Sequence, residues 1–207
     1  MANTPVTLTD RVRAFTGGFM SWLGTTLYGI GVHPDMVTVL GLAIVGVAAI
    51  FIGRGDLRIG GLILLVGLPL DAVDGAVARA MGRTGRFGAM LDSTLDRYAD
   101  GLIFSALSYH FAVRDQFDLV TLAMAALLGS FMVSYTRARG ESVGVDVKIG
   151  LFTRMERVVV ILVMLLAPAS LGIPALEIGL LVLALGTNFT GMQRLWFVYR
   201  TLKDREG

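Results

Sequence analysis

Four aspartates set in two apolar stretches are the residues of this chain best suited to chemistry. Small residues and an arginine accompany them at fixed offsets, and the positions in order are Asp71, Asp74, Gly75, Ala78, Arg79, Gly88, Asp92 and Asp96. A carboxylate inside a bilayer is costly unless it is paired, neutralised or bound to a metal, so four together indicate a functional site. Carboxylate oxygens suit Mg²⁺ or Mn²⁺, and this set is large enough for two ions bridged by shared ligands.

The composition identifies the surroundings of these carboxylates as a membrane. Of the 207 residues, 55% are hydrophobic and only 16% are charged, and the mean hydropathy is +0.71. These values exclude a typical soluble domain, in which about 25% of the residues are charged. The chain has no cysteine, which excludes disulfides and thiolate zinc sites. A metal must therefore be held by oxygen or by His33 or His110, which are far apart in the sequence.

Six apolar segments are long enough, at about 1.5 Å per residue, to cross a hydrocarbon core about 30 Å thick. They are predicted at 36–53, 59–80, 88–113, 117–138, 155–173 and 175–199. Residues 8–30 mix arginines with aromatic residues and predict an amphipathic helix in the membrane interface. No cleaved signal peptide is expected, because the first thirty residues lack an apolar core followed by small residues. The predicted fold is an all-α integral membrane protein, with six transmembrane helices in a single domain, 1–207.

The distribution of lysine and arginine predicts the orientation of the chain. If the amino terminus is cytoplasmic, only Arg54, Arg58 and Arg114 of the 18 basic residues lie on the far side, which leaves 15 on the cytoplasmic side. Membrane proteins carry their excess of positive charge in cytoplasmic loops. Both termini are therefore predicted to be cytoplasmic.

The aspartates are predicted to lie in the membrane near its cytoplasmic face. Twelve apolar or glycine residues run from Ile59 to Leu70, which is about 18 Å of helix before Asp71 is reached. The next span begins near Gly88 on the same side and brings the second pair to a similar depth. Spacings of three and four residues place each pair on one face of its helix. Two antiparallel helices joined by a tight turn can then bring all four carboxylates to one point.

A second set of cations lies away from the aspartates, and its members are Arg137, Arg139, Lys148, Arg154, Arg157 and Arg194. Anchoring of helix ends is the favoured interpretation for one group, Arg139, Arg200, Lys203 and Arg205. Arg154 and Arg157 are three residues apart and share a helix face. Arg194 lies within an apolar span, where an inward-facing partner is expected. A neutral alcohol would not need this much positive charge, whereas a phosphomonoester substrate would.

Other interpretations of the aspartates stay open at this point. A turn with solvated acids fits the apolar flanks poorly, and the glycines also suit plain helix packing. A structural salt-bridge network would use the nearby arginines, which are Arg79, Arg83, Arg86 and Arg97. A divalent-cation transporter would need acids along a path across the bilayer, and a scaffold protein would not need carboxylates beside arginines. The acids on the far side, none at ligand spacing, are Asp56, Asp115, Asp118 and Glu177.

The string from Asp71 to Asp96 resembles the signature of the CDP-alcohol phosphotransferase family. That signature reads Asp-x2-Asp-Gly-x2-Ala-Arg, a spacer, and Gly-x3-Asp-x3-Asp, and every fixed position is present in residues 71–96. The six spans and the amphipathic amino-terminal helix also resemble the family. The resemblance implies an integral membrane enzyme, usually a homodimer, that transfers a phosphatidyl group from a CDP-linked lipid to an alcohol and releases CMP.

The resemblance also implies roles for individual residues. The four aspartates would be metal ligands, and Asp96 would also be the general base that takes the proton from the acceptor hydroxyl. Asp35 and Thr38 resemble the family's Pro-Asp-x-x-Thr stretch, which helps to hold the cytidine. Gly85 stands where a hydroxyl residue can assist the diphosphate, with Thr84 one position away. The expected contacts of the CDP-lipid are Asp35, Thr38, Asp71, Gly75, Arg79, Thr84 and Gly85.

Residues 92–101, 134–139 and 154–157 resemble one branch of the family, the prokaryotic phosphatidylinositol-phosphate synthases. The resemblance implies transfer from CDP-diacylglycerol to inositol 1-phosphate, with the acceptor phosphate held by Ser134, Arg137, Arg154, Arg157 and Arg194. The chain departs from the branch at Arg137, where lysine is usual, and at Met155, where proline is usual. The alternatives are a phosphatidylglycerophosphate synthase, an archaetidylinositol-phosphate synthase and, more remotely, the cation transporter. Membrane lipids are expected partners, and nucleic acid is not.

Overall fold

The structure, a computed structural model, describes residues 22, 25–67, 73, 77, 86–167 and 174–206. Within this part of the chain the regular secondary structure is helical and no strand occurs. Six helices have defined bounds: α1 (Pro34–Arg54), α2 (Leu57–Gly67), α3 (Arg86–Ala112), α4 (Phe117–Ser142), α5 (Arg154–Leu166) and α6 (Ala175–Glu206). The prediction of an all-α protein is thereby confirmed.

The first helix begins and ends at residues whose chemistry suits those places. His33 has an extended backbone, and its side chain accepts a hydrogen bond from the backbone N–H of Asp35, which satisfies a donor that the helix leaves free. Pro34 occupies the first helical position, where no N–H is needed. Gly55 ends the helix with a φ of 99°, a left-handed conformation that glycine adopts without steric cost.

The fifth helix differs most from its prediction. Its start is fixed by Thr153, whose backbone N–H donates to the Glu156 carboxylate at 2.9 Å, the pairing of a capping box. The helix ends at Leu166, before the predicted end of the span at 173, and Ala167 has a ψ of 127°. Residues 168–173 lie outside the described residues. Ala167 precedes a proline, and the proline ring disfavours helical geometry in the residue before it.

Three of the described helices, α1, α4 and α6, are each long and apolar enough to cross a membrane. The 27 residues of α3 have the required length, but its first half carries several charges. The described lengths of α2 and α5, 11 and 13 residues, correspond to only about 16 and 20 Å of helix. At the carboxyl ends, α4 and α6 continue past the predicted 138 and 199 to Ser142 and Glu206. The chain is a helical membrane protein.

Little of the predicted interfacial helix 8–30 falls in the described residues. Residues 25–29 are helical, and the Thr26 hydroxyl donates to the backbone carbonyl of Trp22 at 2.9 Å. Trp22 itself is exposed, as an interfacial aromatic residue would be. The rest of this prediction lies outside the described residues.

The main contacts between the six helices form a closed ring. α1 packs against α2 and α3, α4 against α3 and α6, and α5 against α2 and α6. The order around the ring is therefore α1, α2, α5, α6, α4, α3, so α3 and α5 face each other across the interior. All six helices contribute to one buried apolar cluster, which includes Ile52, Leu64, Phe104, Ala126, Ile161 and Leu183. Lipid tails are as apolar as these side chains, so the cluster stabilises the ring mainly through close van der Waals packing.

Small residues set the distance between α4 and α6. A Cβ added at Gly129 would lie 2.8 Å from the backbone nitrogen of Asn188, which is closer than real Cβ contacts come. The Asn188 amide also donates to the carbonyl of Ala125 at 2.9 Å. Backbone approach at a glycine, joined by a side-chain hydrogen bond, is a common way for membrane helices to associate.

We expect Gly129→Ala to lower the unfolding temperature of the detergent-solubilised protein, because overpacking of a tight contact costs about 1–3 kcal/mol. Gly46→Ala is the matched control, since a Cβ there meets no atom within 4 Å. That variant should be neutral or slightly stabilising, because alanine is favoured over glycine inside a helix by about 1 kcal/mol. Equal unfolding temperatures for the two variants would contradict the close α4–α6 contact.

Candidate active site

The described residues include nine of the predicted site positions: Asp35, Thr38, Asp92, Asp96, Ser134, Arg137, Arg154, Arg157 and Arg194. The other predicted positions lie outside the described residues, and they are Asp71, Asp74, Gly75, Arg79, Thr84 and Gly85. Two neighbours of this second group are described. Val73 and Val77 are helical and buried against Val37 of α1.

Acidic side chains occupy successive turns along one face of α3. Asp92, Asp96 and Asp100 are four residues apart, a spacing that keeps them on the same side of the helix. Asp96 forms an ion pair with Arg154 at the start of α5, and both side chains are largely buried. Because α3 and α5 lie opposite each other in the ring, this pair crosses the interior.

A small cavity, with a volume of about 20 Å³, lies beside this ion pair. Its walls come from α1, α2, α3 and α5, and its polar lining includes Thr38, Asp96 and Arg154. Gly41 and Gly67 line it as well. The structure thus brings together one residue from each of three predicted groups: the cytidine stretch, the metal ligands and the acceptor arginines.

The beginning of α1 lies next to the beginning of α3. A Cβ built at Gly88 would be 3.7 Å from a carboxylate oxygen of Asp35. The Asp35 carboxylate also lies 3.3 Å from the Nδ1 atom of His33. Asp35 and the glycine of the aspartate signature are therefore neighbours, although 52 positions separate 35 from 88 in the sequence.

A second ion pair lies one helical turn further along the interior. The Asp100 carboxylate accepts a hydrogen bond from Arg157 at 3.1 Å and another from the Ser130 hydroxyl of α4 at 2.6 Å. Arg157 is only 4% exposed, and the Asp100 side chain is 14% exposed. Three helices, α3, α4 and α5, therefore meet at one carboxylate.

The remaining predicted acceptor residues have other contacts. The Nε atom of Arg194 donates to the Ile149 carbonyl at 2.8 Å, and a second nitrogen donates to the Val133 carbonyl at 2.6 Å. Arg194 is 4% exposed, so the inward-facing partners expected for it are backbone carbonyls of a loop and of α4. Arg137 is exposed and pairs with Glu141 one turn along α4, at 2.9 Å. Ser134 is half-buried on the same helix.

Sequence reasoning missed the roles of Asp100 and Ser130. The signal for Asp100 was present, because it continues the four-residue spacing of Asp92 and Asp96. Ser130 carried no such signal, since a serine in a membrane helix commonly bonds to its own backbone. Its contact with Asp100 depends on how α4 packs against α3.

Two of the four predicted metal ligands, Asp92 and Asp96, lie in the described part of the chain. Asp92 and Asp96 lie on one face of α3, and Asp96 lines the cavity. Hard oxygen donors are the ligands that Mg²⁺ and Mn²⁺ prefer. No group of three or more candidate ligand side chains occurs within the described part of the chain. The donor chemistry of the described pair fits such an ion.

Comparison with known proteins identifies the family. Residues 31–190 match the model of the CDP-alcohol phosphatidyltransferase family, which is most of the chain and includes both aspartate pairs. The chain belongs to the CDP-alcohol phosphatidyltransferases. It is therefore an enzyme of phospholipid biosynthesis that acts on a CDP-linked lipid, and the resemblance found in the aspartate signature is confirmed.

Two similar proteins are named as synthases of inositol phosphate lipids. A phosphatidylinositol phosphate synthase from Streptomyces avermitilis is 38% identical over 202 residues, 93% of this chain and 83% of the relative. An archaetidylinositol phosphate synthase from Pyrococcus horikoshii is 36% identical over 182 residues, 87% of this chain and 91% of the relative. The two names give different lipid groups, phosphatidyl and archaetidyl, but both include inositol phosphate.

A solved structure shows the same fold. The Mycobacterium tuberculosis phosphatidylinositol phosphate synthase with CDP-DAG bound is 33% identical, has a TM-score of 0.80, and aligns over 87% of this chain and 93% of its own. The same enzyme is also known in complex with manganese and citrate. The family relationship and the manganese complex of the relative support divalent-metal dependence for this chain.

Proposed function

We propose that this enzyme transfers a phosphatidyl group from CDP-diacylglycerol to inositol 1-phosphate, giving phosphatidylinositol phosphate and CMP. The observation that carries the proposal is the contact between Asp96 and Arg154 beside the cavity. It places an anion that can take a proton next to a cation that can hold an anionic acceptor. Relatives named for inositol phosphate products support this choice of alcohol.

The proposed reaction uses Asp96 as the general base. Its carboxylate accepts the proton of the inositol hydroxyl, and the hydroxyl oxygen attacks the phosphorus that carries the diacylglycerol. The bond from that phosphorus to the bridging oxygen breaks, and CMP leaves with the bond's electrons. A bound Mg²⁺ or Mn²⁺ pair, held by Asp71, Asp74, Asp92 and Asp96, would neutralise the diphosphate charge.

The donor is held, in this proposal, where α1 meets the aspartate signature. Asp35 and Thr38 contact the cytidine, and Gly75 and Arg79 contact the diphosphate, with Thr84 and Gly85 nearby. The short distance between Asp35 and Gly88 supports a single site built from both stretches. Thr38 lines the cavity that also contains Asp96, so donor and base would lie on the same side of the ring.

The acceptor phosphate is proposed to be held by cations on the opposite helices. Arg154 faces the cavity and is the principal ligand, because its guanidinium can form paired hydrogen bonds to a phosphate. Arg137, Arg194 and Ser134 are proposed to complete the set, whereas Arg157, which the sequence also predicted for it, pairs with Asp100. Arg137 is the most accessible of them, because its own side chain is 53% exposed.

The arrangement in the membrane is proposed from the sequence pattern and the helix ring. The single domain would cross the bilayer six times, with both termini and the active site at the cytoplasmic face and the segment 8–30 along the interface. The enzyme would act as a homodimer. The three helices that are apolar over a full span, α1, α4 and α6, support the membrane crossing.

The acceptor is tested by the release of CMP. Purified protein with Mg²⁺ and CDP-diacylglycerol should release CMP only when an alcohol is added, and inositol 1-phosphate should give a higher kcat/KM than glycerol 3-phosphate. Chelation of divalent metal should abolish the release, and added Mg²⁺ or Mn²⁺ should restore it. The measurement is the rate of CMP formation with each acceptor in the same preparation.

The outcomes of this assay separate the alternatives. If glycerol 3-phosphate is the better acceptor, the chain is a phosphatidylglycerophosphate synthase and the inositol assignment is wrong. When a CDP-linked archaeal ether lipid replaces CDP-diacylglycerol in the same assay, a strong preference for that donor would instead indicate an archaetidylinositol-phosphate synthase. Absence of CMP with every acceptor would contradict the proposed transfer.

A further inference from the structure

The ion pair between Asp100 and Arg157, named the floor pair here, lies at the inner end of the polar part of the interior. Beyond it along the same helices, Phe104 of α3 and Ile161 of α5 belong to the apolar cluster. On its other side lies the pair of Asp96 and Arg154. The floor pair is thus the last polar contact between α3 and α5 before the apolar core.

The two ion pairs are matched in spacing. Asp96 and Asp100 are four residues apart on α3, about 6 Å along the helix axis, and Arg154 and Arg157 are three apart on α5, about 4.5 Å. Each carboxylate of one helix therefore meets the corresponding arginine of the other. Because α3 and α5 are opposite rather than adjacent in the ring, these side chains supply a direct link between them.

The contacts of the floor pair point to a constraint on α5. Arg157 is 4% exposed and donates to Asp100, while Ser130 donates to the same oxygen from α4. Removal of one partner from a buried ion pair leaves the other charge uncompensated, which is strongly unfavourable. The pair therefore restrains the first turn of α5 against rotation about the helix axis and against sliding along it. Arg154 lies on that same turn.

We propose that Asp100 is a positioning residue for the acceptor site. It acts through Arg157, which fixes the start of α5 so that Arg154 points into the cavity beside Asp96. This inference rests on the proposed function, because it assigns Arg154 to the acceptor phosphate. It also gives Arg157 a different task from direct binding of that phosphate.

Replacement of Asp100 distinguishes positioning from phosphate binding by the direction of the effect. Asp100→Asn keeps the shape but removes the charge that holds Arg157. We expect the KM for inositol 1-phosphate to rise roughly tenfold, because misplacement of a binding group by about 1 Å can cost up to about 10²-fold. The KM for CDP-diacylglycerol should change less than about twofold, since the described donor contacts, Asp35 and Thr38, lie on α1.

Rescue and control variants accompany this substitution. Asp100→Glu restores the charge and should recover part of the acceptor affinity. Asp146→Asn removes a carboxylate from an exposed pair with Lys148, at 2.6 Å, and should leave both KM values unchanged. Ser130→Ala removes only the hydroxyl contact, so it should raise the acceptor KM in the same direction by a smaller factor. If Asp100→Asn does not fold, the acceptor KM of Ser130→Ala tests the positioning role instead.

Several results would overturn the proposal. If Arg157 were itself a phosphate ligand held back by Asp100, Asp100→Asn would lower the acceptor KM. An unchanged acceptor KM, or an equal rise for donor and acceptor, would leave Asp100 as a structural residue only. The wild-type protein is assayed alongside: if it releases no CMP with inositol 1-phosphate, the proposed function fails and this inference fails with it. If the wild type is active, the variants test positioning alone.

Discussion

Replacement of Asp96 by asparagine is expected to abolish turnover while the enzyme still binds its CDP-lipid. Asparagine keeps the size of the side chain but cannot accept a proton at neutral pH. Loss of a general base lowers kcat by roughly 10²–10⁴-fold. The decrease for Asp96→Asn should be near the larger of these values, because Asp96 is also a predicted metal ligand. The measurements are CMP release under saturating substrates and equilibrium binding of CDP-diacylglycerol.

The neighbouring aspartate supplies the control for this prediction. Asp92 is a predicted metal ligand without the role of base, so Asp92→Asn should raise the Mg²⁺ concentration needed for activity. Some of its activity should return at high Mg²⁺, whereas that of Asp96→Asn should not. If Asp96→Asn loses donor binding, or recovers fully with added metal, Asp96 acts only as a ligand and the base must be sought elsewhere.

The helical fold and the shared helix face of Asp92 and Asp96 could be predicted from the sequence. Apolar length alone gave α1 within two residues at its start and one at its end, because a bilayer demands long helices. The spacing of Asp92 and Asp96 predicted a shared face, since helical periodicity fixes it. Asp35 was linked to the signature only through the family resemblance, and its 3.7 Å approach to the Gly88 position agrees with that link.

Other parts of the site depend on contacts between helices that are distant in the sequence. Asp100 and Arg157 are 57 residues apart, and nothing in their local sequence identifies them as partners. Positive charge at a helix end has the same pattern whether it anchors the membrane or faces inward. For Arg194, the expectation of an inward partner was correct, but the backbone carbonyls of Ile149 and Val133 could be identified only from the packed structure.

The second large effect is expected at Arg154, the cation proposed to hold the acceptor phosphate. Arg154→Ala is expected to raise the KM for inositol 1-phosphate by roughly 10- to 100-fold, which corresponds to the loss of a hydrogen bond to a charged group worth about 1.5–3 kcal/mol. The donor KM should change little. Arg139→Ala is the matched control, because Arg139 is exposed and bonds to Ser142 of its own helix end. Steady-state kinetics with each substrate varied in turn supply the test.

The contact between Arg154 and Asp96 allows this experiment to separate two roles. A cation that only binds the acceptor phosphate affects KM when it is removed and leaves kcat nearly unchanged, since that interaction is the same in the ground and transition states. A cation that orients the base lowers kcat and leaves the acceptor KM unchanged. Our proposal requires the first pattern for Arg154→Ala. The second would make Arg154 a partner of the base and leave Arg137, the most accessible of the predicted set, to hold the phosphate.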